Sequence, residues 1–362
     1  MQERVAVIGG GISGLMAAHI LQTEYSVTLF ERRDYIGGHT HTVTIPEGPD
    51  AGLPVDTGFI VFNDWNYPVL MNLFEELGVG GLPTVMSFSY YSENTGRFYS
   101  TKGLRGLFAQ PSNLADPKYW RFLAGVITHG PMLDKAFREG QLTGKSLRQF
   151  FLESKLPKEV FDWLVIPMAA AIWSASFEEI WQFPAETFAR FYHNHGLLSL
   201  WHHPQWYYVK GGSHSYVKRF LERFRGEVRC NAGVRSIARD GKGVNISTAS
   251  GSERFDKVVV AVHADEVLGL LTDPSPKERA LFSPWRYSEN TTYLHCDDSF
   301  MPPNPKVWAA WKYVEHKALT RQSPVAVTYH MNALQNLNAT HQWFVTLNHL
   351  KTPDPAKTAA KM

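Results

Sequence analysis

The chain has 362 residues, 44% of them hydrophobic and 19% charged, with a formal net charge of +2. This length and apolar content suit two domains with large cores, and the scattered basic residues exclude a nucleic-acid footprint. Two cysteines, Cys230 and Cys296, with no CxxC pair, exclude a zinc ribbon and a dithiol redox motif, so free thiols in a cytoplasmic protein are expected.

Arg4-Val-Ala-Val-Ile8 is a short β-branched run, predicted to be a buried parallel strand. Gly9-x-Gly11-x-x-Gly14 follows, and Leu15 to Leu21 then reads as a helix. Ser26 to Phe30 is a second strand that ends at Glu31. In such a βαβ unit Gly9 permits the tight turn, Gly11 lets a pyrophosphate approach the backbone, and Gly14 lets helix and sheet pack closely. The phosphates sit on the helix N-terminus, at Ile12 and Ser13, where free N–H groups and the dipole favour anions. The Glu31 carboxylate suits a ribose diol and repels a 2′-phosphate, which disfavours NADP. The run from Val5 to Leu21 is too short and too glycine-rich for a membrane span, and no secretory signal accompanies it.

A second glycine pair stands in Gly37-Gly38-His39-Thr40, and Val55-Asp56-Thr57-Gly58-Phe59 follows. Leu70 to Leu77 reads as an amphipathic helix stopped at Gly78. Further helices are predicted over 119–127, 146–151 and 160–171, and a strand over 86–91. Tyr208-Val-Lys-Gly-Gly-Ser213 precedes another helix. Arg229 to Ile237 has a strand pattern, and Val244–Thr248 is predicted to form a hairpin with the apolar run Lys257–Val262. Strands are also expected over 291–295 and 343–347. The chain carries 22 Phe, 15 Tyr and 11 Trp, which suit a large aromatic core or a bulky apolar substrate pocket.

Taken as a set, these segments resemble the flavin-containing amine oxidase superfamily, which includes amine oxidases, protoporphyrinogen oxidases and phytoene-type desaturases. Val55 to Asn63, Ala171-Ile-Trp-Ser174, Asn194-His-Gly196 and Leu294-His-Cys-Asp297 are similar to a bacterial subgroup described only as NAD/FAD-binding. The resemblance implies an α/β chain: a Rossmann-like FAD-binding domain of the GR2 type from 1–70 and 205–275, with an inserted α+β substrate domain from 71–204 and 276–362. It implies FAD as cofactor, with Arg33 on the adenosine diphosphate side. Gly37, Gly38, His39 and Thr40 would lie along the ribityl and pyrophosphate region, Thr57 and Gly58 near the isoalloxazine ring, and Val234 at the adenine. The arginine that usually follows the glycine pair is His39 here.

The implied function is an FAD-dependent oxidoreductase that takes a hydride from a C–H bond. The substrate is a small molecule, with an apolar, lipid-like one preferred over an amine because the subgroup is often associated with cyclopropane-fatty-acid-synthase-like enzymes. An NAD-dependent dehydrogenase and a shortened, non-catalytic nucleotide binder are the alternatives. The second arises because family members close the flavin site with a C-terminal glycine-rich segment, and none follows residue 270. A lipid substrate is compatible with peripheral membrane contact, although no basic amphipathic helix demands it. The paired histidines at 39 and 41, 193 and 195, and 202 and 203 lack an HExxH or a carboxylate at ligand spacing, so no metal is expected. His195 and His295 are the candidates for a catalytic pocket, against the simpler reading of packed histidines.

Overall fold

The computed structural model describes residues 2–199, 201–317 and 325–362. Its first sheet is parallel throughout. Strand β1 (Arg4–Ile8) lies between β2 (Ser26–Phe30) and Lys257–Val260, and Glu227–Arg229 forms the edge beyond β2. β1 is buried on both faces, which is why it reads as a continuous apolar run rather than an alternating one. Val5 and Val7 pack with Leu15 and Ala18 of helix α1 (Ile12–Leu21). Ala6 and Ile8 pack against Ile237, Ile246 and Phe255 on the opposite face.

Those last three residues belong to a small antiparallel sheet of Ser236–Arg239, Val244–Thr248 and Gly251–Phe255. The expected hairpin is corrected here. Val244–Thr248 turns back into the polar stretch Gly251–Phe255, and Lys257–Val260 crosses into the parallel sheet. The single strand expected over 229–237 is also two, one in each sheet, and Val234 sits in the link between them.

The second layer is a seven-stranded mixed sheet. In spatial order it runs Thr358–Lys361, Thr292–His295, Phe344–Leu347, Val327–His330, Trp311–Glu315, Phe88–Ser92, Phe98–Ser100. Three of these match expected strands. Helices Pro117–Arg138, Leu147–Ser154, Ile166–Trp173 and Ala185–Asn194 cover part of one face, and Phe122, Phe161 and Phe188 are fully buried in the core they share with it. The helix expected over 160–171 is interrupted by a π-turn, Phe161–Val165, before it continues.

The two layers are tied by a buried carboxylate. Asp56 is 0% exposed and accepts from the Ser213 backbone N–H at 2.8 Å, the Ser213 hydroxyl at 2.8 Å, the Thr42 hydroxyl and the Gln335 side-chain amide at 2.9 Å. Burial pushes its carboxyl up to about 6, against the pull of Thr42 and Ser213.

Candidate functional site

A cavity of about 970 Å³ opens at the carboxyl ends of β1, β2 and Lys257–Val260. This is where ligands bind in open parallel sheets, and the volume lies at the upper end of ordinary ligand pockets. Its floor is the β1–α1 turn. Gly9 has φ of +104°, and a Cβ there would lie 2.4 Å from the Ala261 carbonyl oxygen. A Cβ on Gly14 would lie 1.8 Å from the Gly9 carbonyl oxygen, so only glycine lets α1 start this close to the strand. The helix is capped by Gly11 with no side chain on its first amides. Those amides remain open to an anion, and Gly11, Ile12 and Ser13 line the cavity.

Gly37 and Gly38 complete the floor. The Gly37 N–H donates to the Gly10 carbonyl at 2.9 Å, and a Cβ on Gly38 would come within 2.9 Å of the Gly11 Cα. Two glycine backbones therefore face each other where bulk would fill the space.

Glu31 is 7% exposed. Its carboxylate accepts from the Gly10 N–H at 2.8 Å and from the Arg33 N–H at 2.9 Å. Each oxygen retains a lone pair, and the side chain lines the cavity, so it can both hold the turn and accept from a diol. Thr40 lines the wall with its hydroxyl 2.6 Å from that of Tyr216. The His39 ring stands 5.3 Å from that of His263, which stacks on Tyr287 at 4.4 Å and 9°. Burial first, then the neighbouring His263 and Arg33, lower the His39 pKa. The shift favours the uncharged ring.

The cavity brings together Gly9, Gly11, Ile12, Ser13, Glu31, Arg33, Gly37, Gly38, His39, Thr40 and Val234. Gly14 lies beneath it, in the packing role expected. Thr57 and Gly58 back the wall beside Phe59: the Thr57 hydroxyl is 2.7 Å from His41 Nδ1 and Gly58 packs on the His39 carbonyl. The side chain that reaches the cavity there is Phe59.

Neither catalytic candidate lies in the lining. His195 caps helix Ala185–Asn194, with Nδ1 2.8 Å from the Phe191 carbonyl and its ring stacked 3.9 Å from the Phe191 ring. His295 is 0% exposed within the seven-stranded sheet, with Nε2 2.8 Å from the Thr346 hydroxyl; burial pulls its pKa down to about 4. Both are packed histidines. Among the described residues, no group of three or more His, Cys, Asp or Glu side chains is arranged to hold a metal. The sequence reading missed Phe59, Tyr216, His263 and Tyr287. His263 follows the carboxyl end of a parallel strand, a signal that pairing Lys257–Val262 in a hairpin conceals.

The residues present fit FAD: open helix amides and facing glycines for the pyrophosphate, a buried carboxylate for a ribose, and room for a dinucleotide. The comparisons agree. The family model for flavin containing amine oxidoreductase matches residues 12–338. A Mycobacterium tuberculosis protein described as "Putative flavin-containing monoamine oxidase AofH" is 26% identical over 339 residues, which cover 90% of this chain and 70% of that protein. A putrescine oxidase variant superposes with a TM-score of 0.69 at 17% identity, over 96% of this chain and 75% of the other. A fatty acid isomerase from P. acnes superposes with a TM-score of 0.60 at 17% identity, over 98% and 78%. Among the described residues, no helix is long and apolar enough to cross a membrane. The family match over nine-tenths of the chain, on a fold with the matching cavity, places this protein in the flavin containing amine oxidoreductase family as an FAD-dependent oxidoreductase.

Proposed function

We propose that this protein oxidises a small amine by removing a hydride from the carbon next to its nitrogen. FAD, when bound, supplies the two-electron acceptor. The chain's own part is to bind and orient. The amides at Gly11, Ile12 and Ser13 would hold the pyrophosphate, with Gly37, Gly38, His39 and Thr40 along the other side. Glu31 would accept the ribose hydroxyls, Arg33 would lie towards the adenosine diphosphate, and the backbone at Val234 would meet the adenine. Phe59, backed by Thr57 and Gly58, would exclude water where the ring system ends.

The observation that carries this reading is the glycine-floored cavity with buried Glu31, in a chain of an amine oxidoreductase family. An amine is favoured over a lipid because the compared monoamine and putrescine oxidases act on amines by name. A lipid-like substrate is the second reading. The fatty acid isomerase likeness and the aromatic core of the helical layer, where Trp173 contacts Phe183, Phe188 and Phe191, support it.

An absorbance spectrum of the purified protein, repeated on the supernatant after heat denaturation, tests the cofactor. Released flavin bands are expected. A colourless protein that takes up no added FAD would overturn the proposal. Anaerobic bleaching by primary amines and not by unsaturated fatty acids is then expected; the reverse result selects the lipid.

A further inference from the structure

The short helix Gly103–Leu107, the 3-10 turn Pro111–Ala115 and the first half of helix Pro117–Arg138 adjoin one another and each expose apolar side chains to water. Leu104 is 73% exposed, Leu114 51%, Trp120 49% and Ile127 60%. They are not scattered. The Trp120 indole N–H donates to the Leu114 carbonyl at 2.9 Å, and the Phe108 ring stands 5.8 Å from that of Trp120. On the long helix Trp120, Ala124, Ile127 and Pro131 recur at helical spacing and are all exposed. The same helix already buries another stripe, with Tyr119, Phe122, Leu133 and Ala136 in the core. Packing within the chain accounts for one apolar stripe and leaves the other in solvent.

This face also carries cations. Residues 101–138 hold six, Lys102, Arg105, Lys118, Arg121, Lys135 and Arg138, against two carboxylates, Asp116 and Asp134. Arg121 is paired with Glu159, Lys135 with Glu139 and Arg138 with Asp134, which leaves Lys102, Arg105 and Lys118 outside these ion pairs. Both carboxylates are already engaged, Asp116 by Arg97 and Asp134 by Arg138 and His193.

We propose that this face docks peripherally on an anionic phospholipid membrane, with Leu104, Leu114, Trp120 and Ile127 entering the headgroup layer and the cations over the lipid phosphates. Exposed apolar side chains on elements that also carry unpaired cations, with an indole half in water, are what an interfacial site requires. A second copy of the chain would set Lys102, Arg105 and Lys118 against their like, so self-association is disfavoured on this face. The proposal stands apart from the substrate, since a surface-bound enzyme can oxidise a soluble amine.

Vesicle flotation of the FAD-loaded full chain tests it, with phosphatidylcholine alone and with added phosphatidylglycerol. Flotation is expected only with the anionic vesicles, and it should weaken as salt shortens the screening length to about 8 Å at physiological ionic strength. Leu104→Ser with Ile127→Ser should reduce partitioning at least ten-fold. Arg105→Ala with Lys118→Ala should reduce it about five-fold per cation. All four positions are exposed, so flavin absorbance and amine bleaching should be unchanged; those readouts separate failure here from failure of the amine reading. No flotation at low salt, or equal flotation of the serine variant, would overturn the proposal. So would a concentration-dependent dimer that the serine variant abolishes, which would give the face to a second copy.

Discussion

Glu31 serves two purposes at once. Its carboxylate terminates two backbone N–H groups and faces the cavity. Charged hydrogen bonds of this kind contribute about 1.5–3 kcal/mol each. Glu31→Gln keeps the shape and removes the charge, and it should raise the Kd for FAD by about ten- to a hundred-fold in a flavin-fluorescence titration. Asp56 works differently, because burial raises its pKa to about 6 against about 3.9 in an unfolded chain. Below about pH 4 the group is protonated in both states and costs nothing. As pH rises, the unfolded chain releases the proton first, so stability falls until about pH 6, by roughly 3 kcal/mol. Urea unfolding across that range should show this slope in the wild type, and Asp56→Asn should flatten it.

At the level of elements, the β1–α1 junction depends on one contact. With 1.8 Å between a Gly14 Cβ and the Gly9 carbonyl oxygen, the helix must move for any side chain to fit. Gly14→Ala should therefore cost about 3 kcal/mol, the upper end for overpacking, and release flavin, because the moving helix carries the anion-binding amides with it. Chemical denaturation and the flavin absorbance of the purified variant would show both effects together. The long helix Pro117–Arg138 carries two apolar stripes. Its buried stripe could be sensed from apolar spacing, but its exposed stripe could not. A run such as Trp120 to Ile127 looks like core until its neighbours are known.

Across the whole molecule, the cavity joins segments far apart in the chain. Gly9, Thr40, Tyr216 and His263 meet there, and Asp56 ties Thr42, Ser213 and Gln335 around it. A ligand that binds only this assembled state stabilises it by mass action. FAD at a hundred times its Kd should add about 2.7 kcal/mol and raise the melting temperature by several degrees in a thermal scan. The same FAD addition should leave a Gly14→Ala variant almost unmoved.

The sequence by itself determined the βαβ start, its glycine turn, the acidic residue at the end of β2 and several of the strands and helices. These depend on short-range preferences: glycine's freedom at a turn, helical spacing, and the β-branched run of a buried strand. Only the tertiary structure decided which strands are partners. The run Lys257–Val260 is apolar whether it closes a hairpin or joins a parallel sheet, and its pairing with β1 brings Lys257 beside Val5 from the far end of the chain. The far wall of the cavity was hidden for the same reason, and so were the true surroundings of Thr57, Gly58, His195 and His295. Burial is a property of what comes to lie beside a residue, and local spacing carries no record of it.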